Sequence, residues 1–161
     1  MAYELAQLNL ARFRVPVDDP VNADFVNNLD RVNAEAESQP GFVWRLTGEG
    51  NNATDLQAFD DPLIIVNLSV WSDIGALVDY VYRNPVHTDI MRRRKEWFDR
   101  IDFHLALWWV EAGHHPSVAE SKLRLELLRC CGPTEAAFTF KHAYAPPTGE
   151  RLDPFKGGTG G

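Results

Sequence analysis

Four stretches of this chain alternate their side chains with period two, and helical stripes separate them in an order that few architectures accept. Residues 4–15 put Ala6, Leu8 and Leu10 on one side and Gln7 and Asn9 on the other. Residues 42–47 set Phe42, Trp44 and Leu46 against Val43, Arg45 and Thr47. Residues 63–71 set Ile64, Val66, Leu68 and Val70 against Ile65, Asn67, Ser69 and Trp71. Residues 103–110 set Leu105, Leu107 and Trp109 against Ala106, Trp108 and Val110. Such alternation predicts strands, and the third run is rich in the β-branched residues that strands favour.

The intervening segments read differently. After the turn VPVDDPV, Phe25, Leu29, Val32 and Ala36 fall at i, i+4, i+7 and i+11, one helical stripe, with Asn22 placed to cap it and Pro40-Gly41 to stop it. Ser72 or Asp73 caps a short helix reaching Tyr82, Pro85 interrupts, and a further helix begins near Thr88. Ser117 and Gly132-Pro133 bound a last amphipathic helix, and AAFTFKHAY is the last ordered piece. The order β-α-β-β-α-α-β-α, closed by a short strand, is the ferredoxin-like split pattern. It predicts an α+β fold with one four-stranded, largely antiparallel sheet and helices on one face. Residues 1–147 form a single domain, which suits the length. Residues 148–161, Pro/Gly-rich and ending GGTGG, form a flexible tail. The polar segment from Gly48 to Asp61 is long enough to be a functional loop.

The apolar stripes Leu8/Leu10, Trp44/Leu46, Val66/Leu68 and Leu105/Leu107 are assigned to the helix side. The opposite face then carries Gln7, Asn9, Arg45, Thr47, Asn67, Ser69, Trp71 and Trp108. That face is too aromatic for open solvent and too polar for a sealed core. Two such sheets facing each other across a homodimer would enclose a cavity of mixed polarity, the usual character of a small-molecule site.

Composition removes several function classes. The chain has 161 residues and a formal net charge of −7, which disfavours binding to nucleic acid and to anionic lipid. No stretch approaches the roughly 20 apolar residues of a membrane span. The N-terminus reads as a strand rather than an export signal. The two cysteines, Cys130 and Cys131, are adjacent, and neighbouring cysteines bridge poorly. These features predict a reducing, cytoplasmic location.

The ordered runs LAQLNLARFRVPVDDP, GFVWRLTGEGNNATD, DDPLIIVNLSVWSD, HTDIMRRRKEWF, LALWWVEAGHHPS and FTFKHAYAPP resemble a family of short bacterial proteins catalogued as a domain of unknown function. The likeness spans residues 3–147. That family in turn resembles the dimeric α+β barrel superfamily, which includes antibiotic-biosynthesis monooxygenases. The resemblance implies a ferredoxin-like subunit and a homodimer. It leaves the reaction open, because the superfamily holds cofactor-free oxygenases, cyclases, isomerases, haem-binding enzymes and non-enzymatic members.

Candidate chemistry concentrates on a few side chains. His87 opens the stretch HTDIMRRRKEWF on a stripe with Met91, Arg94, Phe98 and Ile101, while Arg92, Arg93, Lys95 and Glu96 face water. His87 is either a packed histidine at a helix start or a general base or haem ligand, since imidazole titrates near neutrality. Glu96 is spaced to pair with Arg92 and Arg100. Arg45 serves either a dimer salt bridge or the binding of a carboxylate or enolate. Asn67 is a second oxyanion candidate. Gln7, Asn9 and Ser69 either satisfy one another across the sheet or orient a ligand carbonyl. Trp71 and Trp108 are read as ligand-facing indoles and Trp109 as packed under the helices. His114 and His115 carry little metal-site signal, and no metal is expected. Three functions follow. One is a cofactor-independent monooxygenase, cyclase or isomerase acting on an aromatic or polyketide-like molecule. The second is a non-catalytic dimer binding a small hydrophobic molecule, and the third a haem protein with His87 as its ligand.

Overall fold

The computed structural model describes residues 2–47, 59–101 and 104–147, with the backbone of 151–152. In chain order the elements are β1 (Tyr3–Phe13), α1 (Ala23–Glu37), β2 (Phe42–Arg45), β3 (Ile64–Trp71), α2 (Ile74–Val78), α3 (Pro85–Arg92), β4 (Phe98–Asp99), β5 (Leu105–Glu111), α4 (Val118–Cys131), β6 (Ala143–Tyr144) and β7 (Arg151–Leu152). β1 lies at the centre of the sheet. It pairs antiparallel with β3 on one edge and with β5 on the other, and the two-residue β4 continues that second edge at Arg12 and Phe13. β2 pairs antiparallel with the outer edge of β3. The long strands therefore run β2-β3-β1-β5 with helical crossovers, the expected α+β ferredoxin-like arrangement.

Register decides which side chains share a face. Leu5 faces Trp71, Gln7 faces Ser69 and Asn9 faces Asn67 across β1 and β3. On the other edge, Gln7 faces Leu107 and Ala6 faces Trp108. One face joins Leu5, Trp71 and Leu107 to Ala36 of α1 and to Ile74, Leu77 and Val78 of α2. The other joins Leu8, Leu68, Val70 and Trp108 to Leu125 and Leu128 of α4. Both faces are thus covered within one chain, in a correction to the face assignment from sequence. α1 and α2 lie over the Gln7 and Trp71 side, not over Leu8 and Leu68. β5 is also in the opposite phase: Leu105 and Leu107 accompany Gln7, and Trp108 lies on the far side. The cause is that both stripes of β5 are apolar, so alternation alone cannot tell one from the other.

The helix boundaries have local causes. Asn22 stands at the N-cap of α1, as expected, but makes no capping hydrogen bond; Asp19 caps the 3-10 turn Pro20–Asn22 before it by accepting from the Val21 amide at 3.0 Å. Asn22 is sealed and turns back to donate to the Pro16 carbonyl at 2.8 Å. Asp73 caps α2 by accepting from the Ala76 amide at 2.8 Å. α3 begins earlier than expected, because Asn84 caps it and Pro85 takes the first helical position, where its missing N–H costs nothing. α3 ends at Arg92, so the predicted stripe from Met91 to Ile101 does not form. Consequently Arg92 pairs with Asp89, and Arg93 pairs with Glu96 and with Asp24 of α1, in place of the pairs expected for Glu96. The loop expected from Gly48 to Asp61 lies outside the described residues up to position 58. Of the expected tail, 151–152 pair with β6, and the other residues of 148–161 lie outside the description.

Gly41 fixes how β2 meets α2. Its φ is +87°, and a Cβ there would lie 2.6 Å from both Ala76 Cβ and Ser72 Oγ. Gly41→Ala is therefore expected to destabilise the fold by about 1–3 kcal/mol, read as a lower urea midpoint with an unchanged slope. A midpoint equal to wild type would show that the turn relaxes without strain.

Candidate functional site

The polar residues of the α1/α2-covered face form a connected set. Gln7 is 5% exposed and Ser69 6%. The Gln7 amide Nε2 donates to Asn67 Oδ1 at 3.0 Å and to Ser69 Oγ at 3.1 Å. Trp71 Nε1 donates to the same hydroxyl at 3.0 Å. A serine oxygen has two acceptor positions and one proton to give. Both acceptor positions are occupied here, so Ser69 offers a donor. Gln7 spends its amino group within the cluster, and its Oε1 has no hydrogen-bond partner among the described residues. The floor of this face therefore presents one donor and one acceptor beside an indole. Asn67 is exposed and Asn9 half-buried, so the set opens toward that end of the strands.

Aromatic rings continue the set into the helix layer. Trp71 meets Phe42 edge-on at 5.4 Å and stacks on Tyr80 at 5.5 Å with a 23° interplanar angle. Tyr80 donates its hydroxyl to the Val32 carbonyl of α1 at 2.9 Å. Burial, helped by the nearby Glu35 carboxylate, raises the Tyr80 pKa and keeps the phenol neutral. His87 also meets the Tyr80 ring, at 4.9 Å between centroids and tilted by 54°.

His87 occupies the first turn of α3, and its Nδ1 is 2.9 Å from the Val81 carbonyl. A carbonyl only accepts, so Nδ1 carries the proton and Nε2 holds a lone pair in the neutral ring. Burial lowers the His87 pKa, against an opposing contribution from the Val81 bond. The result is a neutral imidazole suited to accept a proton. The same tautomer would present Nε2 to a haem iron, which would supply oxygen or peroxide chemistry. Tyr80 contacts both Trp71 and His87, and the His87 ring bonds to Val81, so His87 adjoins the amide cluster without a hydrogen bond to it.

The remaining candidates divide. Arg45 lies on the same face, opposite Ser69, but its Nε is held at 2.6 Å by Glu37 at the end of α1. Its salt bridge is within the chain rather than across a dimer. Trp108 is a correction: it is fully buried on the opposite face, where Nε1 donates to Glu120 Oε2 at 2.9 Å. Its register with Ala6 puts it beneath α4 and away from Gln7. Trp109 packs in the cluster beneath α1 and α2, as expected, and donates to the Tyr144 carbonyl at 2.8 Å. His114 pairs with Glu120 at 2.6 Å, and His115 stacks on Trp44 at 4.7 Å. Among the described residues no three His, Cys, Asp or Glu side chains gather as metal ligands would. No described helix is long and apolar enough to cross a membrane. Sequence reasoning missed Tyr80, whose signal was only its place in a helical segment after Trp71.

Comparison with known proteins adds a family. The family model described as "Domain of unknown function (DUF3291)" matches residues 4–153. No curated protein matches the chain. Among solved structures, SnoaB, a cofactor-independent oxygenase from Streptomyces nogalater, is similar at 18% identity and a TM-score of 0.45, covering 70% of this chain and 96% of its own. A conserved protein from Methanosarcina mazei Go1 is similar at 16% identity and a TM-score of 0.45, covering 67% and 92%. A protein from Chloroflexus aurantiacus J-10-fl, provisionally assigned as an antibiotic biosynthesis monooxygenase, is similar at 13% identity and a TM-score of 0.43, covering 71% and 98%.

Proposed function

We propose, for a chain that belongs to the DUF3291 family of domains of unknown function, that the face carrying Gln7, Asn67, Ser69 and Trp71 binds a small, partly aromatic molecule beneath the helix layer. The observation that carries this reading is the Gln7–Ser69–Trp71 network. A nine-tenths buried amide and hydroxyl hold each other in fixed orientation, yet leave one acceptor and one donor unspent. Buried polar groups are ordinarily satisfied by their neighbours, and a bound carbonyl or N–H would complete this set. Trp71 and the half-buried Asn9 supply flanking wall and Asn67 the mouth. The site lies within one chain, so a homodimer, which belongs to this proposal, would form through other surfaces.

Native mass spectrometry of gently purified protein tests the reading. The expected result is a reproducible small-molecule adduct, on a species of twice the chain mass, that is lost in Ser69→Ala and weakened about tenfold in Asn67→Ala. An adduct indifferent to both substitutions would place the ligand elsewhere and end the reading.

Turnover of the bound molecule is a second reading, favoured by the neutral His87 with its Nε2 lone pair. In it a conjugated ligand extends from the amide cluster along Tyr80 toward α3, so that His87 takes a proton from its far end without a cofactor while Asn67 and Ser69 steady the oxyanion at the other. Oxygenation by molecular oxygen, aldol-type cyclisation and keto–enol isomerisation can each begin from such an anion.

A further inference from the structure

We infer that Asn33 of α1 is the helix-side recognition residue of this site, and that its ligand carries a lactam-like edge, an N–H beside a C=O on a planar ring. The inference rests on the reading of the sheet face given above and adds a residue and a ligand class to it.

Asn33 is 7% exposed, and among the described residues its side chain has no hydrogen-bond partner. A helix interior gives asparagine no advantage, because its amide competes with the backbone. Leucine at the same place would fill the layer without an unpaired amide. Among the described residues, Asn22 Oδ1 and Arg124 Nε are sealed from solvent without a partner. The Asn33 amide is not among the sealed atoms, so a bound molecule can reach it.

Its place on α1 points to the sheet cluster. Asn33 and Glu37 are i and i+4 and share one flank of the helix. Glu37 reaches across that flank to hold Arg45 of β2, and Arg45 faces Ser69 in register. The chain reverses between α1 and β2, so the turn before Glu37 overlies the strand positions beyond Arg45. On β3 that direction leads from Ser69 toward Asn67. Asn33 therefore looks down on the part of the sheet where Ser69 offers a proton and Gln7 an oxygen.

The chemistry of the set selects the ligand. An asparagine amide presents C=O and NH2 side by side, and its planar complement is an N–H beside a C=O. A carboxylate fits less well, because Arg45, the cation among the described residues that faces Ser69, is already paired with Glu37. Trp71 and its stack favour a ring system over an aliphatic amide.

Isothermal titration calorimetry with 2-quinolone and N-methyl-2-quinolone tests this. The two probes differ only in the lactam proton. The expected result is binding of 2-quinolone about tenfold tighter than its N-methyl form. Asn33→Leu should remove the preference and leave the melting temperature no lower than wild type. Asn33→Ala, which suits a helix, should remove it too and keeps the test open if the leucine variant folds poorly. A preference that survives in either folded variant overturns the role of Asn33. Wild-type protein that ignores both probes overturns the lactam class. In either case a native adduct still lost in Ser69→Ala leaves the reading of the sheet face standing. An adduct and probe binding indifferent to Ser69→Ala and Asn67→Ala would instead remove that reading.

Discussion

Trp108→Ala is expected to lower the unfolding free energy by about 3–5 kcal/mol while leaving ligand binding at the Gln7 face intact. The indole is fully buried between the sheet and α4, in the cluster with Leu125 and Leu128. Its Nε1 also tethers α4, because Glu120 Oε2 accepts from it at 2.9 Å while Glu120 Oε1 meets His114. Alanine removes the packed ring and one of the carboxylate's partners together. Trp108→Phe separates the two contributions. It keeps most of the ring and loses only the hydrogen bond, for an expected cost of about 1–3 kcal/mol. Urea unfolding of the two variants measures both. A barely destabilised Trp108→Ala protein that no longer binds its ligand would return this indole to the site and contradict the register of β5.

The contrast between Trp71 and Trp108 shows what the sequence could reveal. The strands, their order and their antiparallel pairing were legible because alternation and helical stripes are local signals. The shared face of Gln7, Arg45, Asn67, Ser69 and Trp71 was legible for the same reason: on β1 and β3 one stripe is distinctly more polar. β5 offered no such contrast, since Leu105, Leu107 and Trp109 are as apolar as Ala106, Trp108 and Val110. Only the pairing of Ala6 with Trp108 resolves it, and pairing register is not a local property.

The covering of the sheet was misread for a related reason. Alternation assigns the apolar stripe of Leu8, Val66 and Leu68 to the helix side and the polar stripe to the wall of an intersubunit cavity. The structure covers both faces within one chain, so neither had to be polar. Gln7 and Ser69 tolerate burial because they satisfy each other, which hydropathy does not register. Asn33 was hidden likewise: it lies beside the stripe of Phe25, Leu29, Val32 and Ala36, and its polarity gives no sign of its burial. His87 was recognisable as a titratable residue near a helix start, but its tautomer depends on a carbonyl six residues earlier, brought close only by the turn into α3.

His87→Ala is expected to slow consumption of the co-purifying compound about 10²–10⁴-fold if turnover is the function, with the near-ultraviolet circular dichroism unchanged. The pH dependence of stability supplies an independent signature. Burial depresses the folded-state pKa of His87, so between that value and the unfolded value of about 6.5 the unfolded chain binds more protons than the folded one. Stability contributed by His87 is therefore fully present above about pH 6.5 and is lost as pH falls through the folded pKa. The depressed carboxyls of Asp61 and Glu96 give way at lower pH, because their unfolded values lie in the carboxylate range. His87→Gln, which keeps a donor for the Val81 carbonyl but does not titrate, should flatten the first decline and leave the second. A wild-type profile without the first decline would show a solvated imidazole, with no neutral base poised at the site. A profile that does show it, joined to an unchanged rate in His87→Ala, would leave the protein a binder whose buried histidine holds α3 in place.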